Sequence, residues 1–255
     1  GLIVPDLPYE EYDELKPLIP YICCGDPSVE DSEKLVYALE EAGADIIELG
    51  IPYSDPLADG PVIQAAGLRA FAGGFRLEDT FKIVKNVRKN SQIPLVIMVY
   101  YSSIIGFGKE KFVELCVDAD VDGLIVPDLP YEEYDELKPL LDETNVYMIP
   151  LVALTSEDRI PMLVKESKGF VYCVSSLGVT GVRKEFDTRI DSFVAKVKEA
   201  TDTPACIGFG ISTKADVERF DKIADGCIVG SAIVRKIFDS KMNLDEIKAF
   251  VSSLK

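Results

Sequence analysis

Eight short apolar runs rich in Val and Ile punctuate this 255-residue chain: LIPYICC, DIIELGI, PLVIMVYY, GLIVPD, VYMIPLV, GFVYCVS, PACIGFG and GCIVGSAI. Between them lie stretches such as SVEDSEKLVYALEEAGA, RLEDTFKIVKNVRKN and TKADVERFDKIA, whose apolar residues recur with helical spacing. Continuously apolar strands that alternate with amphipathic helices predict an all-parallel sheet covered on both faces. Eight such units in about 235 residues fit a closed (β/α)8 TIM barrel, an α/β fold of one domain, better than an open doubly wound sheet. No GxGxxG follows the first strand, which argues against a dinucleotide site. Ser28, Ser156 and Ser212 are the expected helix caps, each with an acidic residue or a good helix former close behind.

The first eighteen residues, GLIVPDLPYEEYDELKPL, return letter for letter at 123–140. At 123 they read as the fourth strand, its loop and the start of the helix that follows. Two copies do not make a solenoid, which needs many at a fixed period. Residues 1–18 therefore read as a duplicated βα segment placed before a barrel domain of residues 19–255. A closed barrel has no free edge for a ninth strand. The extra strand is expected to be loosely packed, to pair with another chain, or to compete with 123–140 for one place. Gly1 in place of Met suggests a processed, trimmed or engineered start.

Bulk composition narrows the function. A formal charge of −17 argues against a nucleic-acid partner, which needs clustered Lys and Arg. A small anionic ligand is still compatible, because backbone N–H groups bind phosphate without a basic patch. The apolar runs are too short to span a bilayer, and no signal peptide precedes them. Cys23, Cys24, Cys116, Cys173, Cys206 and Cys227 form no CxxC pair and read as buried reduced thiols of a cytoplasmic protein. Histidine is absent, which removes Ser-His-Asp and Cys-His catalysis and the common zinc sites, so no metal is expected.

Barrel chemistry sits at the C-terminal ends of strands and in the loops after them. The densest polar stretch of this kind is DIIELGIPYSDPLADGP, residues 45–61. Glu48 lies inside an apolar strand, where a carboxylate is costly unless paired or used. It is either a salt-bridged structural residue or a proton-transfer group whose pKa burial has raised. Asp55 and Asp59 follow in a loop, as turn formers or caps, or with Asp59 completing an acid–base pair. On the other side, SSLGVTG, GFGIS and VGSAI follow the last three strands. Glycine there either ends strands for steric reasons or lets backbone N–H groups reach a phosphate.

YICCGDP, AGADIIELGIPYSDPLADGPVIQAA, SSLGVTGVR, IGFGIS and VGSAIV, in this order, make residues 19–255 similar to the tryptophan synthase alpha subunit family. The resemblance implies a lyase of tryptophan biosynthesis that splits indole-3-glycerol phosphate into indole and glyceraldehyde 3-phosphate by a retro-aldol reaction. It implies no cofactor in this chain. The expected partner is a beta subunit, carrying pyridoxal phosphate, in an αββα heterotetramer. It places Glu48 as the acid–base group, Asp59 at the indole N–H, and Gly181, Gly210, Gly230 and Ser231 around the phosphate. Thr180 matches a closing-loop residue, Tyr172 a tyrosine near the carboxylates, Tyr21 an aromatic of the indole pocket, and Asp55 a residue facing the beta subunit.

Two features depart from the family. Ser102 stands where an Asn is frequent, which is expected to bear on the partner loop and not on the chemistry. The copied segment stands where the family's first helix crosses the barrel floor. That substitution keeps a second reading open, a barrel that activates a beta subunit but turns over little. A different phosphate-binding barrel enzyme of tryptophan synthesis is disfavoured by ELGIPYSDPLADGP. Isolated activity is expected to be low, because loops after strands two and six close fully only against the partner.

Overall fold

The computed structural model describes residues 16–174, 189–208 and 210–255. All strand pairs in it are parallel, as expected from the apolar, two-sided runs. The strands are β1 (Leu18–Cys23), β2 (Ile47–Gly50), β3 (Leu95–Met98), β4 (Gly123–Ile125), β5, β6 (Val171–Val174), β7 (Ala205–Gly208) and β8 (Gly226–Val229). The fifth comes in two pieces, Tyr147–Met148 and Leu151–Ala153. The first piece pairs with β4 and the second with β6, while β8 returns to β1, so the sheet closes into an eight-stranded ring. Ile149 N–H donates to Leu124 of β4, and the Pro150 carbonyl accepts from Tyr172 of β6. Pro150 has no N–H to give, which is why the ladder breaks there.

The strands have two apolar faces. The outer face packs under the helices in one large core. The inner face forms a separate plug that includes Ile19, Ile46, Val96, Ile125, Phe170, Cys206 and Ile228. Side chains two residues apart on a strand share a face. Above Ile46 on β2 that inner face continues to Glu48, whose neighbours across the ladder are Tyr21 on β1 and Val96 on β3. The plug fills the lower barrel, and the first charged layer opens directly above it.

Local signals correct several sequence expectations. Ser28 caps the helix Val29–Glu41 as predicted, accepting from the Asp31 N–H. The cap of Lys214–Phe220 is Thr213, not Ser212, because the Asp216 carboxylate takes both of their N–H groups and Thr213 Oγ1 accepts from Asp216 in return. Ser156 caps nothing and lies inside a 3-10 turn, Leu154–Arg159. The segment after β4 is a 3-10 turn, Tyr131–Glu136, followed by a short α-helix, Lys138–Asp142. Pro139 cannot donate back along an uninterrupted helix, so the chain breaks into two pieces.

The N-terminal copy lies outside the described residues except for Lys16–Leu18. Those three run straight into the barrel. Lys16 Nζ reaches the Ala224 carbonyl, the Pro17 carbonyl accepts from Cys227 of β8, and Leu18 opens β1. The boundary between residues 18 and 19 that the repeat draws thus falls within a strand. Among the described residues no helix is long and apolar enough to cross a membrane.

Candidate active site

A small cleft of about 40 Å3 opens at the C-terminal end of the barrel. Its lining brings together Tyr21, Glu48, Asp59, Tyr172, Gly210, Gly230 and Ser231, from β1, β2, β6 and the loops after β2, β7 and β8. Gly181 and Thr180 lie outside the described residues. Asp55 is exposed in the loop after β2, apart from the cleft lining, and beside it Leu57 is 80% exposed.

Glu48 is 1% exposed, and among the described residues neither carboxylate oxygen has a hydrogen-bond partner. Burial pushes its pKa from the ordinary 4.5 up to about 8, with a smaller push from the Asp59 charge. Strand register explains how a carboxylate comes to be there. The inner-face position above Ile46 is fixed by pairing on both sides, so the side chain has no route to water other than the cleft. The salt-bridged alternative for Glu48 finds no cation among the described residues.

Asp59 arrives by a different kind of backbone. Asp59 N–H donates to the Pro56 carbonyl in a tight turn, and Gly60 then caps the helix Pro61–Ala72, with Pro61 at its first position. Burial raises Asp59 from 3.8 to about 6, while the Tyr100 hydroxyl, hydrogen-bonded to the carboxylate, pulls it down. Near neutrality the two carboxyls therefore divide the roles, Glu48 holding its proton and Asp59 ionised. Environments that push two acids apart in this way are how acid and base roles are assigned.

Two tyrosines roof the carboxylates, and each lies across a glycine of the next strand. A methyl group on Gly50 of β2 would overlap the Tyr21 ring, and one on Gly208 of β7 would overlap Tyr172. The geometry repeats: Cys23 pairs with Gly50 and Val174 with Gly208, so each tyrosine sits two residues below the partner of its glycine. Beside Tyr21, Gly230 caps the nine-residue helix Ser231–Asp239, whose first turn faces the cleft. Gly210 holds φ +87°, a conformation other residues adopt only with strain. Helix N-termini present unsatisfied N–H groups and a partial positive charge, so this corner suits an anion.

Sequence reading missed several lining residues. Ile63 and Met98 give the cleft apolar walls, and Ala58, Gly60 and Ile211 complete it. Tyr100, which lies against Asp59, is the next to last residue of the run PLVIMVYY, just past the third strand. It was missed as well, and its place at a strand end is the signal that could have found it. Among the described residues no group of three His, Cys, Asp or Glu side chains is placed to hold a metal ion.

The fold and the cleft define a (β/α)8-barrel enzyme with two carboxyls of different proton affinity beside a helix N-terminus. The chain matches the family described as "Tryptophan synthase alpha chain" over residues 15–255 and belongs to it. It is 50% identical over 243 residues to the tryptophan synthase alpha chain of Thermoanaerobacter sp. (strain X514), covering 94% of this chain and 93% of that one. A chain of Mycobacterium tuberculosis tryptophan synthase superposes with a TM-score of 0.87 at 34% identity, covering 95% of this chain and 92% of that chain. A chain of the Pyrococcus furiosus tryptophan synthase α2β2 complex also gives 0.87, at 36% identity, covering 93% and 97%.

Proposed function

We propose that Glu48 and Asp59 are the acid–base pair with which this carbon–carbon lyase of tryptophan biosynthesis cleaves indole-3-glycerol phosphate. The observation that carries the assignment is a buried carboxyl, Glu48, without a hydrogen-bond partner among the described residues, in one cleft with a carboxylate and a helix N-terminus. An aromatic ring carbon is a poor leaving group until it is protonated. Protonated Glu48 delivers its proton to indole C3, and ionised Asp59 beside the ring N–H stabilises the cation that forms. The bond between C3 and the glycerol carbon then breaks, its electron pair returning to the ring as neutral indole. The hydroxyl on that glycerol carbon becomes the aldehyde, and its proton goes to the Glu48 carboxylate, which restores the starting state.

Gly210, Gly230 and Ser231 hold the phosphate through backbone N–H groups, joined in this assignment by Gly181. Thr180 closes over the substrate, and Tyr21 and Tyr172 pack around the indole ring. The chemistry needs no cofactor in this chain. The beta subunit, with its pyridoxal phosphate, meets the face that carries Asp55, in an αββα heterotetramer. The six buried free thiols support a cytoplasmic location. Residues 1–18 are duplicated material whose last residues, Lys16–Leu18, lead into β1 of the barrel.

The test is indole release from indole-3-glycerol phosphate with and without a beta subunit. Turnover that rises on adding the partner is the expected result. A chain that stimulates the beta subunit yet releases no indole overturns the lyase assignment and leaves a purely activating barrel.

A further inference from the structure

Tyr100 is buried where β3 ends and caps the helix Tyr101–Phe107. Its hydroxyl oxygen accepts the Ala58 N–H at 3.0 Å. A tyrosine has one hydroxyl proton. With a lone pair engaged by Ala58, that proton is free to turn to the Asp59 carboxylate, the next residue along. The ring is itself held in place. Tyr53 stacks on it with ring centroids 4.7 Å apart and planes 20° from parallel. The Tyr53 hydroxyl accepts in turn from Ser102 Oγ at 2.8 Å. A three-residue ladder thus runs from the helix after β3, across the loop after β2, to the cleft.

We infer that Tyr100 is the positioning residue for Asp59, that the Tyr53–Ser102 hydroxyl pair fixes its ring, and that Ser102 thereby reaches the chemistry. Asp59 hangs from a loop, whereas Tyr100 is anchored at the end of a barrel strand. The ladder ties a carboxylate carried by a loop to the end of β3. This deepens the lyase assignment and rests on it for the catalytic consequence, though not for the geometry.

Among the described residues, the ionisable groups that face Asp59 are Glu48 on β2, Tyr21 and Cys23 on β1, Tyr172 on β6 and Tyr100, with Asp128 near Tyr100. None is a cation, so the Tyr100 hydroxyl is the group among them that favours the ionised carboxylate. The readout is the 13C carboxyl resonance of Asp59, assigned through its loss in Asp59→Asn and titrated in the full chain. Tyr100→Phe should move the midpoint up by about one pH unit, the size of one lost hydrogen bond to a carboxylate. Tyr53→Phe and Ser102→Ala should move it the same way by less, with melting temperatures nearly unchanged.

The acid limb of kcat/KM for indole-3-glycerol phosphate, measured with the beta subunit, should follow the same order. A midpoint unmoved in a folded Tyr100→Phe overturns the inference. If that variant does not fold, an unmoved midpoint in Tyr53→Phe overturns it. A wild type that releases no indole would sink the lyase assignment alone, because the titration reads the ladder without turnover.

Discussion

Glu48 and Asp59 face one cleft from two kinds of backbone, and the contrast explains their opposed chemistry. Glu48 is fixed by ladder pairing on both sides and receives no hydrogen bond among the described residues. Asp59 is set by a turn and by a tyrosine from another strand. Burial acts on both, but among the described residues only Asp59 has a donor to offset it, and the outcome is about 8 for one and about 6 for the other. Strand placement isolates a carboxyl, and loop placement lets one be tuned.

Glu48→Gln should break this comparison most severely. An amide cannot give and take the proton, so kcat should fall by at least a hundredfold, the scale of a lost general acid–base group. Stability should move the other way. An acid whose folded pKa lies above its unfolded one binds more protons in the native state, so the native state loses stability as pH rises from about 4.5 to about 8. The full difference is on the order of 5 kcal/mol. The melting temperature of Glu48→Gln should therefore exceed wild type at pH 8 and converge on it near pH 5. Equal melting curves at both values would mean that the carboxyl is not held protonated by burial.

Asp59→Asn should cost somewhat less, about a hundredfold in kcat/KM, with a smaller gain in stability that builds between about pH 4 and about pH 6 and persists above it. In wild type, activity requires Asp59 ionised and Glu48 protonated. The rate profile should be bell-shaped with limbs near 6 and 8, falling about tenfold per pH unit outside them. Asp59→Asn should remove the acid limb and leave the basic one. Loss of both limbs together would mean that the pair titrates as one unit.

Much of this was legible in the sequence because it rests on short-range pattern. Periodicity announced the barrel, and barrel geometry sent attention to the strand ends where Glu48, Asp59 and the late glycines stand. What escaped was set by contacts between distant segments. Gly50 reads as the end of an apolar run, and only the third dimension shows Tyr21 lying across it. The Tyr53–Tyr100–Ser102 ladder spans two loops, and nothing local couples them. The repeat makes the point most directly. Lys-Pro-Leu at 16–18 leads into and opens a strand, while the same tripeptide at 138–140 begins a helix. Ladder bonds from β8 and Asp45 claim the first, and the chain returning to β5 claims the second. Identical residues adopt whichever structure their neighbours complete.

The smallest expected effect separates the two carboxyls most cleanly. Gly50→Ala sets a methyl group where the Tyr21 ring now lies, so the ring must shift from its place beside Glu48. Overpacking of this kind costs about 1–3 kcal/mol. A displaced ring also lets water nearer the carboxyl and weakens the burial that raises its pKa. The basic limb should then move to lower pH by less than about one unit, and the acid limb by less still, because Asp59, which Tyr21 also faces, is the less buried carboxyl. Tyr100→Phe is the mirror case, shifting the acid limb and sparing the basic one. Two substitutions that each move chiefly one limb would establish that the walls of the cleft tune its two carboxyls separately. If Gly50→Ala moved both limbs equally, Tyr21 would belong to the surroundings of Asp59 as much as of Glu48, and strand and loop would no longer act separately.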